Sequence, residues 1–352
     1  MLEHAFTRLA IAARGEAAMR VIHAAREIDH GRAEPLHLIA LHTEADRDAL
    51  FVRQADEAVC LGPNGLVDAA TLRASGADAA WIESYVVPEP RELAERCERL
   101  GIVLAGPGSV GIPIAPGNGD AEPPAPATRR LEVPIIADGH GHAWALGVCD
   151  CSCRRDGQAV LEESSSPALA PGEAREIMET ARKLALRAGH RGAESVEFTY
   201  EPAAGRISPL SPTARPGGEH AVTEAVTGLD LVQLQLRVAA GGRLRGRAPR
   251  PLGHAIEARL CAHDPARGFA PAPGRLLHLR VPTGLGVRVD TGVIEGDWIA
   301  AESDALIAKL TAWGRDRDEA LARLRRALGE TIAVLDRGTT NHGFLLELLD
   351  HP

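Results

Sequence analysis

Leu9-Ala-Ile-Ala-Ala-Arg-Gly-Glu-Ala-Ala-Met-Arg-Val-Ile-His-Ala-Ala-Arg-Glu-Ile28 decides the fold class. Its first five residues are apolar without a break, the pattern of a short strand buried on both faces. Arg14-Gly-Glu16 reads as the turn. From Ala17 to Ile28 the residues Met19, Val21, Ile22, Ala25 and Ile28 give one apolar side at helical spacing. Working outward, a Gly31 and Pro35 break precedes a strand from Leu36 to Leu41. Thr43 is placed to N-cap a helical turn running from Glu44 to Phe51. The spacing then predicts a strand at Ala58 to Leu61, a helix at Asp68 to Ser75 and a strand at Ala79 to Ile82. A helix at Glu89 to Leu100 and a strand at Ile102 to Ala105 follow, closed by Gly106-Pro107. Strands alternating with helices predict a parallel, doubly wound α/β domain over the first hundred residues.

Residues 106–129 break the pattern. They are rich in Pro, Gly and Ala, cannot bury much apolar surface, and read as a linker. Structure resumes as a hairpin, Leu131 to Ala137 and Ala143 to Cys149, around Asp138-Gly-His-Gly-His142. An amphipathic helix is predicted from Gly172 to Ala188, stopped by Gly189. A strand-like run, Glu194 to Tyr200, is followed by a helix-like run from Val222 to Ala239. Gly241 to Pro251 carries several arginines with no interleaved aromatic residue, and reads as a solvated boundary rather than a nucleic-acid surface. Beyond it, strands at Gly253–Cys261, Leu276–Val281 and Gly286–Asp290, a helix from Arg317 to Leu335 and a short Leu-rich helix predict an α+β unit.

Composition bounds the function. The chain has 352 residues, 45% apolar and 25% charged, with a net charge of −9. That length allows two or three domains with real cores. The negative balance argues against nucleic acid or an anionic membrane surface as partner. No apolar run is long enough for a membrane span, and the first residues lack a signal-peptide pattern, so the expected location is the cytoplasm. Six cysteines in a chain of this length do not read as a disulfide framework. Three of them, Cys149, Cys151 and Cys153, would share one face of a strand and could begin a soft metal site. His140 and His142 lie seven or more residues away, more than ~20 Å along a strand, so half-buried reduced thiols are the expected outcome.

The stretch Pro209-Leu-Ser-Pro-Thr-Ala-Arg-Pro-Gly-Gly-Glu-His220 follows the strand-like run and packs an Arg, a Glu and a His into six residues. Side chains mounted at a strand end sit on rigid scaffold, so this is a candidate anion or acid/base site.

Ala10-Ile-Ala-Ala-Arg-Gly-Glu-Ala-Ala-Met-Arg20 resembles the opening block of the biotin carboxylases. So do Thr43–Leu50, Ala55–Gly62, Asp138–Gly141, Leu161-Glu-Glu163, Ala221–Asp230, His254–Leu260, Gly286–Asp290 and Leu306–Leu310. The blocks run in order along the whole chain. The resemblance implies a Rossmann-like pre-ATP-grasp domain at 1–108, a linker at 109–130, an ATP-grasp core at 131–242 and a biotin-carboxylase-type C-terminal domain at 243–352. It also implies a reaction, the ATP- and magnesium-dependent carboxylation of biotin by bicarbonate.

Departures from the family pattern redirect that expectation. The family's Gly-rich lid and two ATP-contacting lysines fall in the stretch that is here the Pro/Gly/Ala linker. Without them a triphosphate lacks most of its clamp. Aligned on Glu219-His220, the family's metal-binding Glu and Asn become Ser211 and Thr213, and neutral hydroxyls are poor magnesium ligands. Its Gln and Val become Gly217 and Gly218. Its other metal-binding Glu is kept as Glu197, and a Lys is replaced by Ala159. The bicarbonate-contacting Arg and Glu are kept as Arg215 and Glu219, and the enolate-stabilising Arg as Arg288. Arg215 and Arg288 with His220 form the expected anion-binding set, and Glu219 the expected acid/base. The expected reading is a non-catalytic or assembly subunit with no cofactor. ATP, Mg and biotin enter only if the family activity survives. The alternative is an ATP-independent enzyme acting on a carboxylated substrate. A homodimer and a carboxylase-type protein partner are further expectations. No biotin-carrier motif occurs, so any biotin would arrive on another protein.

Overall fold

A computed structural model describes residues 6–29, 34–62, 65–83, 86–87, 90–106, 128–155, 158–210, 220–301 and 305–351. The first unit runs β1 (Arg8–Ala12), α1 (Gly15–Ile28), β2 (His37–His42), α2 (Leu50–Gln54), β3 (Glu57–Cys60), α3 (Ala69–Ala74), β4 (Ala79–Ile82), α4 (Pro90–Leu100) and β5 (Val103–Leu104). Its five strands are parallel, in the order β3-β2-β1-β4-β5. Leu9 to Ala12 are almost fully enclosed, as an uninterrupted apolar run requires. One face packs against α1 and α2, through Met19, Ile22 and Phe51 among others. The other packs against α3 and α4, through Leu72, Leu93 and Cys97. Thr43 does not cap a helix: its hydroxyl donates to Asp46 Oδ2 at 2.6 Å, and the segment splits into a 3-10 turn and α2.

The second part contains β6 (Arg129–Asp138), β7 (Ala143–Ala145), β8 (Cys149–Asp150), β9 (Arg154–Arg155), β10 (Gln158–Ala159), β11 (Leu161–Ser164), α5 (Pro171–Arg187), β12 (Arg191–Glu201), β13 (Arg206–Pro209), α6 (Ala221–Thr227) and α7 (Leu231–Ala239). The last part contains β14 (His254–Cys261), β15 (His263–Asp264), β16 (Ala270–Pro271), β17 (Gly274–Arg280), β18 (Val287–Thr291), β19 (Trp298–Ile299), β20 (Leu306–Gly314), α8 (Arg317–Glu330), β21 (Ile332–Leu335) and α9 (His342–Asp350). A nine-stranded sheet joins the two parts, in the order β13-β12-β6-β8-β11-β14-β20-β18 with β7 beside β6. The junction is the antiparallel pairing of β11 with β14. Buried Asp138 ties the hairpin down, accepting from the backbone N–H groups of His140, His142 and Leu244.

Four local expectations fail for physical reasons. The run from Val222 to Ala239 is two helices, because Gly228 adopts a left-handed conformation (φ +69°) that ends α6. The helix predicted to Leu335 stops at Glu330, and Ile332–Leu335 pairs with β17 instead. The return strand of the hairpin pairs only through Ala145, and the chain resumes pairing at Cys149. With β8 just two residues long, Cys149, Cys151 and Cys153 do not line one strand face. Cys149 Sγ lies 3.5 Å from the Thr223 hydroxyl, and no group of three or more His, Cys, Asp or Glu placed to hold a metal occurs among the described residues. The strand-like run that precedes the Pro209–His220 stretch extends to Glu201, then returns as edge strand β13.

The end of β18 and the start of α1 touch backbone to backbone. A Cβ added at Gly292 would sit 2.0 Å from the Gly15 carbonyl carbon and 2.3 Å from Glu16 N. Neither atom can move without shifting the helix start. Gly292→Ala should therefore lower stability by about 1–3 kcal/mol, read as a lowered melting temperature. Gly329→Ala, at a helical position with open space around it, is the control and should be neutral or slightly stabilising.

Candidate functional site

Strand order in the first sheet reverses between β1 and β4, and in such sheets ligands bind in the crevice beyond the strand ends at that point. The β1 end leads into α1, which presents Glu16 and Arg20 four residues apart on one face. The β4 end leads directly to Glu83, whose N–H donates to the Ala12 carbonyl at 3.0 Å. From the other side come Glu224 of α6, and Arg288 and Asp290, two apart on one face of β18. The cavity they enclose is lined by Glu16, Arg20, Trp81, Glu83, His220, Glu224 and Arg288, with apolar walls from α1 and α7. Its water-accessible volume is about 40 Å³.

Two guanidiniums share one carboxylate here. Arg20 Nη2 lies 3.0 Å from Glu224 Oε1 and 2.8 Å from Asp230 Oδ2. Arg288 Nη1 lies 2.6 Å from Glu224 Oε2, and its Nε lies 2.6 Å from Asp290 Oδ2. The Leu231 N–H also donates to Glu224 at 2.7 Å. Burial alone would raise the Glu224 carboxyl, but the two guanidiniums and that N–H outweigh it and hold the group below its ordinary value. Burial likewise works against the charge on Arg288, and Asp290 and Glu224 more than restore it. Asp290 itself is raised by burial, opposed by Arg288. Beneath this cluster Lys309 Nζ of β20, almost fully enclosed, lies 3.0 Å from Glu16 Oε2. Burial lowers the ammonium, and Glu16 and Glu257 raise it further than burial lowers it.

Glu83 behaves in the opposite way. It is 4% exposed. Burial pushes its carboxyl up to about 7, against the hydrogen bond from Trp81 and the charge of Lys309. Two carboxyls in one cavity are thus driven apart, Glu224 towards the anion and Glu83 towards the neutral acid, which is how environments separate acid from base roles.

Of the residues expected from the sequence, Arg288 and His220 are both on the cavity wall. Arg215 and Glu219, with Ser211, Thr213, Gly217 and Gly218, lie outside the described residues. Glu197, on β12, sits 3.5 Å from Arg130 Nη1 of β6. Ala159 is buried on β10. Glu83, Arg20, Glu16, Glu224, Asp290 and Lys309 were not assigned roles by sequence reasoning. The i,i+4 spacing of Glu16 and Arg20 was a usable signal, as was a lone acid ending the apolar run Ala79-Ala-Trp-Ile82.

Three family models match the chain in order: the biotin carboxylase N-terminal domain at 5–112, the ATP-binding domain of the carbamoyl-phosphate synthase L chain at 126–247, and the biotin carboxylase C-terminal domain at 257–352. Biotin carboxylase 1 of Bacillus subtilis is 32% identical, covering 98% of this chain and 95% of the relative. The chain belongs to the biotin carboxylase family. The match to the Bacillus protein runs over 435 positions, more than the 352 residues of this chain, so it includes positions of the relative that have no counterpart here. Biotin carboxylase of Pseudomonas aeruginosa is 29% identical over 92% of this chain and 91% of its own. Among solved structures, the biotin carboxylase domain dimer of Hydrogenobacter thermophilus 2-oxoglutarate carboxylase, in complex with MgADP, ADP and bicarbonate, superposes with a TM-score of 0.86 at 25% identity. It covers 98% of this chain and 94% of that one. Urea carboxylase of Kluyveromyces lactis gives 0.86 at 30% identity over 99% of this chain, which spans 31% of that protein. Among the described residues of this biotin-carboxylase-family chain, no helix is long and apolar enough to cross a membrane.

Proposed function

We propose that this family member does not carry out ATP- and magnesium-dependent carboxylation and works as an assembly subunit beside a carboxylase-type partner. The observation that carries this reading is the ion pair between Glu197 and Arg130. Glu197 is the one family metal ligand retained, and a guanidinium beside it competes for the carboxylate that magnesium would need. The residues present do not fit the metal: the other ligand positions hold Ser211 and Thr213. Nor do they fit the triphosphate, since Ala159 stands at a family lysine position and residues 109–130 form a Pro/Gly/Ala run in place of the lid. The ATP-grasp scaffold is then retained for its surfaces, and a cytoplasmic homodimer is the working assembly.

Titration with Mg-ATP tests the first half. No saturable heat at millimolar nucleotide, with or without bicarbonate, is expected; a magnesium-dependent isotherm would overturn the reading. Affinity capture from the native host tests the second half, with a carboxylase-type protein as the expected co-purifying partner. Recovery of the chain alone would overturn it.

The charged cavity favours a second reading, an ATP-independent enzyme acting on a carboxylated substrate. Arg215 and Arg288 would hold the carboxylate and Glu219 would move a proton. Glu219→Gln and Arg288→Ala should each reduce pathway output in the host by an order of magnitude or more, a factor in the range typical of acid/base groups. Unchanged output from both rejects this second reading.

A further inference from the structure

The arginine-rich boundary Gly241–Pro251 contains no acidic residue, in a chain whose net charge is −9, and neither reading above uses it. The fold lays part of it beside helix α5 and strand β7, and the three line a groove with a water-accessible volume of about 440 Å³. From α5 comes one face, with Arg175, Met178, Glu179 and Arg182 at helical spacing. The boundary brings Arg247. Strand β7 contributes Trp144, half-buried and packed with Leu244 and Ala248, so its ring is a fixed apolar platform. The aromatic residue that the arginine run lacks in sequence is thus supplied by another element. Glu179 is the one carboxylate among the described lining residues, and it is already engaged. Arg182 Nε and Nη2 each donate to it at 2.8 Å, and Lys183 Nζ lies 3.6 Å away. Arg175 and Arg247 are exposed and make no hydrogen bond or ion pair among the described residues, and the Trp144 indole N–H has no acceptor among them. Cations are therefore in excess here, beside an apolar surface. Trp, Met and Arg are residue types enriched where proteins meet, and a free guanidinium grips a carboxylate through two parallel bonds. One aromatic ring is too few to stack a run of bases, which argues against a nucleic-acid strand.

We propose that this groove docks an acidic segment of a partner protein, with one apolar side chain seated on Trp144 and Met178 and flanking carboxylates on Arg175 and Arg247. The proposal rests on the assembly reading for the existence of that partner, and adds where and by what chemistry it is held. Charge complementarity selects the occupant: the only carboxylate lining the groove is consumed within the chain, so the two free guanidiniums are left for carboxylates from outside. The apolar floor selects against a purely ionic ligand, because covering Trp144 and Met178 requires an apolar group.

Two double variants of the full chain test this. Arg175→Glu with Arg247→Glu reverses the charge in the groove. Arg187→Glu with Arg250→Glu makes the same charge change outside it and is the control. All four side chains are exposed, so both variants should fold. The calorimetric probe is a peptide of glutamates around one leucine, beside a version with serine in place of the leucine. Saturable binding of the leucine peptide is expected, weakened about tenfold or more in the groove variant, where like charges then face one another. The control should bind as wild type, and the serine peptide should bind more weakly than the leucine peptide. Affinity capture from the native host should recover the carboxylase-type partner with wild type and control but not with the groove variant. No peptide binding, equal binding to the groove variant, or equal binding of the serine peptide would overturn the proposal. So would a partner captured equally well by the groove variant, and in that case the assembly reading stands. A wild-type chain recovered alone while the peptide still binds rejects the assembly reading and leaves the groove assigned, so the two failures are distinguishable. Tighter binding of inorganic pyrophosphate than of the peptide would assign a free phosphorylated ligand, and self-association lost in the groove variant alone would assign a second copy of this chain; either result overturns the proposal.

Discussion

Glu224→Ala should lower the unfolding free energy by about 3–5 kcal/mol, the loss expected when one member of a buried ion network is removed. Three groups lose a partner at once. Arg20 and Arg288 each keep a single acidic neighbour, Asp230 and Asp290 respectively, and the Leu231 N–H loses its acceptor. The conservative Glu224→Gln keeps the shape and an acceptor for Leu231 but removes the charge, so its loss should be smaller. Urea unfolding at pH 7 is the measurement, with a lower midpoint and an unchanged slope as the expected form. Because Glu224 is held below its unfolded value of 4.5, its contribution is present above that value and is lost as pH falls through the folded one. The gap between wild type and Glu224→Ala should therefore close in acid. A midpoint unmoved at pH 7 would mean that the α1–α6–β18 junction does not depend on this carboxylate.

Glu83 should produce the opposite pH profile. Its carboxyl is raised from 4.5 to about 7 by burial, so between those values the folded chain keeps a proton that the unfolded chain releases. Stability falls as pH rises through that window, by about 1.4 kcal/mol per unit and about 3 kcal/mol in total. Glu83→Gln has no proton to lose. It should be close to wild type at pH 5 and more stable than wild type by about 3 kcal/mol at pH 8. Parallel urea titrations at the two pH values decide it: a wild-type-to-mutant difference that is the same at both would show that Glu83 is not a buried neutral acid.

Fold legibility followed the packing. The buried strands β1, β2 and β4 announced themselves as short apolar runs, because a strand covered on both faces has no polar face to mask it. Helix α1 was legible from its spacing. The misreadings fell where local pattern and tertiary context compete. Val222 to Ala239 is apolar enough for one helix, yet Gly228 costs nothing in a left-handed turn and lets α7 pack against α1. Ile332–Leu335 continues the helical apolar spacing of α8, but its β-branched residues pair with β17 once the sheet is there. The candidate site was legible in part. Arg288 and His220 reach the cavity, whereas Glu83 was passed over although it is the lone acid that ends the apolar run Ala79–Ile82. No periodicity reveals that Glu16 meets Lys309, because nearly 300 residues separate them and only the folded topology brings them together.

That separation bears on the order in which the molecule can be built. Glu16 is buried against the ammonium of Lys309, and Gly15 against the backbone of Gly292. During synthesis the first α/β unit emerges long before either partner exists. Until then the start of α1 must stay hydrated, and the crossover crevice stays open to water. Closure of the cavity is thereby tied to completion of the C-terminal strands, a late step that closes a long loop and is slow for that reason. A nascent chain arrested before β18 would hold a folded first sheet with its ligand crevice unfinished.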